Sequence, residues 1–224
     1  MLTVRDAARL LQTTESTLQR WIRDKSIPFQ RVSETYRFNR SELLEWATAR
    51  GIHVASGEFL GDDDGVATPR LSDALAAGGV HHRVPGTDTA SVMRAVAERL
   101  PIDPADRDLV CDVLLAREAL GSTGVGDGVA IPHVRRPLVL SVGRPSITLC
   151  FLETPVDLHA VDDRPVDTIF SVVSATIRGH LYLLSRIAAG LHDAPFKSAI
   201  RRHAAADEIL ALARRLDQAP ERLA

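Results

Sequence analysis

The sequence lacks the features that mark several common classes of protein. Its two cysteines, Cys111 and Cys150, stand inside apolar runs and not at the spacing of a zinc site, which predicts buried, inert thiols and no metal. No apolar run approaches the roughly 18 residues needed to span a bilayer. No secretory signal precedes the patterned sequence that begins at Leu2. We therefore expect a cytoplasmic protein with no membrane partner, and nothing in the sequence points to a cofactor.

Net charge is small, but the charges are unevenly placed. The formal net charge is −2 over 224 residues. Residues 1–50 carry nine Lys and Arg against six Asp and Glu, whereas residues 51–69 carry four acids and no base. A local basic surplus of this kind is typical of a small nucleic-acid-binding module. The length allows one medium domain beside such a module.

The first fifty residues predict the order helix, turn, helix, hairpin, helix. Apolar residues recur with a helical period on both sides of a turn at residues 12–14, and Thr14 is the expected N-cap of the second helix. Residues 29–39 predict two short strands. Ser41 is expected to cap a third helix, which Gly51 would end.

This order of elements resembles the DNA-binding domain of the excisionase and MerR-type winged-helix family over residues 2–47. The resemblance rests on the segments LTVRDAARLL, ESTLQRWI and RVSETYRFNRSELLEW. It implies that the second helix enters the major groove of DNA and that the hairpin is a wing that contacts phosphates. The implied contacts are Ser16, Thr17, Gln19, Arg20 and Arg23 on the helix, and Arg31 and Arg37 on the wing. Glu15 departs from the family pattern, which often has a basic or small polar residue there.

A second region follows a stretch without hydrophobic period. Residues 52–69 mix glycine, aspartate and small residues, which predicts a linker between domains at residues 1–51 and 70–224. In the second domain, helical patterns alternate with apolar, β-branched runs at residues 146–152 and 167–175 that are typical of buried strands. This alternation predicts an α/β sandwich.

The stretch GVGDGVAIPH, residues 124–133, is the strongest candidate for chemistry. It places three glycines in five positions and a histidine directly behind a proline. Glycine permits turns and close backbone approaches that a Cβ would block. Pro132 fixes its own φ and biases Ile131 toward an extended conformation, so His133 is expected on a stiff segment. A neutral, exposed imidazole held in this way is a usable nucleophile.

Three motifs in order resemble the IIA domain of the bacterial phosphotransferase system, of the fructose/mannitol and nitrogen-regulatory type. They are REALGSTGVGDGVAIPH, FLETPVDLHAVDDRPVDTIF and GHLYLLSRIAAGL, and the resemblance covers about residues 70–217. It implies an α/β fold in which a C-terminal mixed β-sheet is sandwiched between helices, after the small, mainly helical winged helix-turn-helix domain. It also implies that His133 accepts a phosphoryl group from an HPr-like donor and passes it to a downstream protein that the sequence does not identify.

The same resemblance places His180 beside the phosphorylated histidine. His180 follows Gly179 at the expected start of a helix, where the N-terminus favours anions and disfavours an imidazolium, so a neutral ring is able to donate to a phosphoryl oxygen. The other expected phosphate contacts are hydroxyls, glycine N–H groups and one cation: Ser122, Thr123, Gly124, Gly126, Gly128 and Arg135. Arg117 and Glu118 match a family pair and are expected to act as scaffold.

The sequence leaves three functions open. The first is a regulatory phosphocarrier coupled to a DNA-binding module, and the second is a DNA-binding transcriptional regulator whose IIA-like domain is a degenerate sensor or dimerisation module. The third is a protein-interaction scaffold that needs neither phosphate nor DNA. Val134 stands where the family usually has glycine. His81 and His82 are expected in a turn.

Overall fold

The computed structural model describes residues 2–32, 35–50, 52, 69–133, 144–174 and 176–218. The described residues divide into two units, one up to residue 52 and one from residue 69 to residue 218. The domain bounds 1–51, 52–69 and 70–224 stay a prediction, and each unit is described by itself.

The first unit has the expected order of helix, helix, hairpin and helix. Its elements are α1 (Val4–Leu10), α2 (Glu15–Arg23), β1 (Gln30–Val32), β2 (Thr35–Arg37) and α3 (Arg40–Ala49). The two strands pair antiparallel. The helix-turn-helix architecture expected from the periodicity is thus confirmed.

Side-chain caps fix where the helices of this unit begin. Thr14 accepts the Thr17 N–H at 3.1 Å, which is the N-cap expected for α2. The expectation for α3 was wrong, because the helix begins at Arg40 and the Glu42 N–H donates to Oδ1 of Asn39 at 3.4 Å. Asparagine is as good an N-cap as serine, and here it lies two residues before Ser41. Gly51 lies outside the described residues.

An aromatic contact orients α2 in the first unit. The rings of Trp21 and Trp46 meet edge to face with centroids 5.1 Å apart. The indole N–H of Trp46 also donates to the carbonyl of Ser26, just beyond α2. Leu18 and Ile22 are buried on the same helix, so the opposite face, with Arg20 and Arg23, is exposed.

The second unit is a mixed five-stranded sheet with helices on both faces. Its strands are β3 (Val80–Val84), β4 (Gly124–Gly126), β5 (Val129–Ala130), β6 (Ser146–Val156) and β7 (Val166–Val173), in the order β3-β6-β7-β5-β4. Strand β6 pairs antiparallel with β7, while β3 pairs parallel with β6 and β5 parallel with β7. The mixed sheet implied by the IIA resemblance is confirmed.

The helices of this unit form two layers. They are α4 (Leu71–Gly78), α5 (Thr89–Ala97), α6 (Arg107–Ala119), α7 (Ile177–His192), α8 (Ala194–Arg201) and α9 (Ala206–Gln218). Helices α5 and α6 pack on the sheet face that carries Cys150 and Ile169, in one buried hydrophobic cluster. Helices α4 and α7 contact the sheet through β6 and β7 and pack together with α8 and α9.

Helix α4, strand β3 and helix α8 were not expected from the sequence. His81 and His82 lie in β3, so their expected turn was wrong. The physical reason is that β3 is the edge of the sheet, where polar residues are tolerated and the hydrophobic alternation is weak. Helix α6 is preceded by a 3₁₀ turn, Pro104–Asp106, with Asp103 as its cap.

No helix within the described ranges is long and apolar enough to cross a membrane. The cytoplasmic location expected from the sequence stays a prediction.

A buried carboxylate near the C-terminus holds the start of the second unit. Arg70, before α4, makes no side-chain cap. Instead the carboxylate of Asp217 accepts the N–H groups of Leu71 and Ser72 at 3.0 and 2.9 Å. Its Oδ1 also lies 3.4 Å from the guanidinium of Arg186, and both side chains of this ion pair are buried. Helix α9 therefore supplies the N-cap of α4 and neutralises a buried arginine of α7.

We expect Asp217→Ala to destabilise the protein by about 2–4 kcal/mol, because it leaves two N–H groups unsatisfied and a buried guanidinium without its counter-ion. Urea unfolding followed by circular dichroism measures this loss. The matched control is Glu208→Gln, at a residue on the same helix as Asp217. It removes an exposed ion pair with Arg202 and should leave the urea midpoint almost unchanged. A midpoint for Asp217→Ala equal to that of the control would contradict the capping role.

Candidate functional site

The segment that carries His133 leaves the sheet at its interior. Strands β4 and β5 form a hairpin around Asp127 and Gly128, and β5 then pairs with β7. The Ile131 N–H donates to the Thr123 carbonyl at 3.0 Å, which closes the open end of the hairpin. The segment from Ile131 to His133 is therefore anchored at its first residue.

The imidazole of His133 is buried, with 1% of the residue exposed. Its Nδ1 lies 2.7 Å from the Ile131 carbonyl oxygen. A carbonyl only accepts hydrogen bonds, so Nδ1 carries the hydrogen and, in the neutral ring, Nε2 holds the lone pair. The sequence-based expectation of an exposed ring is wrong, but the stiff segment presents one defined tautomer.

His180 packs against His133. The two ring centroids are 5.3 Å apart with 45° between the ring planes, and 3% of His180 is exposed. Helix α7 begins at Ile177, and its cap Thr176 accepts the Gly179 N–H at 3.1 Å, so His180 lies in the first turn and does not open the helix. A Cβ on Gly179 would lie 2.8 Å from Oγ of Ser174, which explains the glycine next to the histidine.

Arg117 and Glu118 hold the chain that leads into the hairpin. The Arg117 guanidinium donates to the Gly121 carbonyl at 2.7 Å. The Glu118 carboxylate accepts the Thr123 N–H at 3.1 Å and the Thr123 hydroxyl at 2.5 Å. Thr123 is therefore engaged by Glu118, and its expected contact with a phosphoryl group stays a prediction. Ser122 accepts the Gly124 N–H at 3.0 Å through its hydroxyl oxygen.

The three glycines of the motif shape the hairpin. A Cβ on Gly124 would lie 2.5 Å from Cβ of Ala160, so this glycine permits a close approach of two segments. Gly126 and Gly128 have φ of +94° and +77°, and their α-carbons face the carboxylates of Asp162 and Asp167. The expected role of Gly126 and Gly128 in cradling a phosphoryl group stays a prediction.

The hairpin turn is anchored to α8 through Asp127. Its carboxylate lies 2.5 Å from Nζ of Lys197, with Arg164 and Arg201 at 3.8 and 3.9 Å. The hydrogen bond from Lys197 and the three positive charges hold the pKa of Asp127 below its ordinary value. A lowered pKa means that the anchor stabilises the fold above the ordinary range of a carboxyl group and weakens as the pH falls through the folded-state value.

Two expected site features lie outside the described residues, namely Arg135 and the departure at Val134. In the first unit, the expected helix contacts lie on α2, where Ser16, Gln19, Arg20 and Arg23 are exposed and Thr17 is half-buried. Arg31 on β1 is exposed and Arg37 on β2 is half-buried. The Thr17 hydroxyl lies 3.0 Å from that of Thr14, so the N-cap engages one of the expected contacts.

The hairpin and its anchors were not predicted from the sequence. The dipeptide Asp127-Gly128 between two short apolar pairs is a hairpin signal that could have been used. The contacts of Asp162, Asp167 and Lys197 with this turn join residues 35 to 70 positions apart, and no local pattern reports them.

Comparison with known proteins decides the family. The sequence pattern of the phosphoenolpyruvate-dependent sugar phosphotransferase system, EIIA 2, matches residues 80–215. The chain belongs to this EIIA 2 family. A helix-turn-helix domain pattern matches residues 1–51, so the chain joins an EIIA 2 unit to a helix-turn-helix unit.

Relatives of the EIIA 2 unit come from bacteria and archaea. A nitrogen regulatory protein of Pseudomonas aeruginosa is 35% identical over 136 residues, which cover 59% of this chain and 86% of that protein. A PTS system fructose-specific EIIA component of Haloferax volcanii is 34% identical over 88 residues, 38% of this chain and 55% of that protein. The crystal structure of the nitrogen regulatory protein IIA-Ntr from Neisseria meningitidis superposes with a TM-score of 0.50 at 27% identity, covering 64% of this chain and 94% of that one.

We expect the neutral form of His133 to carry its hydrogen on Nδ1, because the Ile131 carbonyl can only accept. Long-range ¹H–¹⁵N correlation spectra of the unphosphorylated protein at alkaline pH report the tautomer of each histidine. The exposed His159 is the internal reference for a solvated ring. A His133 spectrum dominated by the Nε2–H tautomer would contradict the hydrogen bond.

Proposed function

We propose that this EIIA 2 protein is a regulatory phosphocarrier that accepts a phosphoryl group on Nε2 of His133 from an HPr-like donor. The observation that supports it most is the 2.7 Å contact between His133 Nδ1 and the Ile131 carbonyl, which leaves the lone pair of the neutral ring on Nε2. EIIA domains are phosphotransfer components, so family membership supports the same chemistry.

In the proposed step, the Nε2 lone pair attacks the phosphorus atom of the phosphorylated donor. A bond forms between Nε2 and phosphorus as the bond from phosphorus to the donor nitrogen breaks, and the electron pair of that bond returns to the donor. The Nδ1–H of His133 stays on the Ile131 carbonyl throughout. Such transfer depends mainly on positioning and on stabilising the charge of the phosphoryl oxygens.

His180 is the proposed stabiliser of those oxygens. Its ring neighbours that of His133, and it belongs to the first turn of α7, where the helix dipole favours an anion. Charge-assisted donation from a ring N–H to a phosphoryl oxygen is stronger than a neutral hydrogen bond. His133 must become accessible for a donor to reach it, because only 1% of the residue is exposed in the unphosphorylated form.

Incubation with phosphoenolpyruvate, enzyme I and HPr should label the protein with acid-labile, base-stable phosphate. We expect His133→Ala to remove the label and His180→Ala to slow labelling by on the order of 10²-fold, the scale of a lost oxyanion donor. His159→Ala, at an exposed histidine, is the control and should label like the native protein. Equal labelling of His133→Ala and the control would refute the assignment.

A second proposed activity, DNA binding, is favoured by the exposed cations of the first unit. Arg20 and Arg23 lie on the exposed face of α2, and Arg31 is exposed on β1 of the hairpin. Phosphorylation of His133 would add about two negative charges and so is a means to change what this unit binds. A transcriptional regulator with a degenerate EIIA unit is the alternative, in which DNA binds and no label appears.

For DNA binding, we expect Arg20→Ala to weaken binding and to lower the slope of log K against log salt by about 1 if Arg20 neutralises one phosphate. Fluorescence anisotropy with a genomic fragment library, repeated at several salt concentrations, measures both. Arg94→Ala, an exposed arginine of the second unit, is the control and should bind as the native protein does. Native protein that binds no fragment with salt dependence would exclude this activity.

A further inference from the structure

We infer that Glu118 is a positioning residue for the phosphoacceptor. Through Thr123 it fixes the hydrogen-bonded segment that holds His133 in its Nδ1–H form. The inference rests on the proposed function only for its effect on phosphoryl transfer, because its effect on the His133 tautomer is measurable without any transfer.

The position of Glu118 is unfavourable for the helix that contains it. It is the residue before the last in α6, which spans Arg107–Ala119. The C-terminal end of a helix carries partial negative charge, so a carboxylate there costs free energy. Helix stability therefore does not explain a glutamate at this position, and its contacts beyond the helix do.

Both oxygens of that carboxylate are directed to one residue. The Thr123 N–H lies 3.1 and 3.2 Å from Oε1 and Oε2, and the Thr123 hydroxyl lies 2.5 Å from Oε2. Hydrogen bonds to a charged acceptor are stronger than neutral ones, and this pair is also shielded because Thr123 is buried. Glu118 thus fixes the last residue before β4.

Two further hydrogen bonds carry this constraint to the imidazole. The Thr123 carbonyl accepts the Ile131 N–H at 3.0 Å. The Ile131 carbonyl in turn accepts Nδ1–H of His133 at 2.7 Å. Thr123 is held at its N–H by Glu118 and at its carbonyl by the Ile131 N–H. A shift of Thr123 therefore also displaces Ile131, whose carbonyl is the acceptor that selects the tautomer of His133.

Arg117 ties the same loop at a different point. Its guanidinium donates to the Gly121 carbonyl, two residues before Thr123. Arg117 thus binds the chain just beyond α6, and Glu118 binds the residue at the start of the hairpin that presents His133.

The test uses Thr123→Val and Glu118→Gln in the full chain. Valine keeps the shape of threonine without its hydroxyl, and glutamine keeps the shape of glutamate without its charge. We expect both to raise the Nε2–H population of His133 at least two-fold in ¹H–¹⁵N spectra and to slow labelling on the order of tenfold by misplacing Nε2. Thr123→Ser, which restores the hydroxyl, should recover the native tautomer, and Glu208→Gln is the matched surface control.

The two readouts separate this inference from the proposed function. An altered tautomer in folded Glu118→Gln supports the inference even if the native protein takes no label, in which case only the phosphocarrier proposal fails. A native tautomer in both variants overturns the inference, whether or not labelling slows. Thermal unfolding identifies a variant that has lost its fold, and if Thr123→Val does so, Glu118→Gln decides the outcome.

Discussion

The hydrogen bond from Nδ1 of His133 to the Ile131 carbonyl is the constraint on which the proposed chemistry of this protein depends. It spans two residues, with Pro132 between donor and acceptor. Proline has a fixed φ, so the loop closed by this bond has little freedom to lose when it forms. An imidazole has two nitrogens of similar reactivity, and this single bond makes them different: one holds the hydrogen and the other holds the lone pair.

The position of that bond depends on the position of its acceptor, the Ile131 carbonyl, and several elements of the fold hold this acceptor in place. Strand β5 is paired with β7 and with β4, and the Ile131 N–H is bonded to Thr123. The turn of the hairpin is held to α8 by Asp127 and Lys197. Elements far apart in the chain therefore converge on one short segment, which is the arrangement that a reaction governed by positioning requires.

Much of this could be predicted from the sequence, because its signals are local or belong to a family. The helix and strand periods gave most elements, and the motif around Pro132 identified His133. Edge strand β3 was missed since its polar residues, His81, His82 and Arg83, hide the alternation. The burial of His133 was also missed, because exposure depends on packing between α7 and the segment after β5.

The roles of Thr123 and Gly128 show why contacts decide a site where residue types do not. Hydroxyl groups and glycines near a histidine are typical of phosphate binding. Here the Thr123 hydroxyl is directed to Glu118, and Gly128 faces Asp167, so these two residues shape and hold the hairpin. The residue types alone do not reveal this structural role, which depends on contacts with residues distant in sequence or across the loop.

The burial of His133 would link the proposed phosphorylation to a change in packing. A phosphoryl group carries about two negative charges, and a buried charge costs several kcal/mol unless it is paired. His133 is 1% exposed and packs against His180, so a phosphoryl group added to this ring would be largely buried. The cost of burying its charges would favour a different packing around this pair in the proposed phosphorylated form. The unphosphorylated and the proposed phosphorylated forms would then differ in both packing and charge. Such a difference would allow a partner protein or a second domain to bind one form in preference to the other.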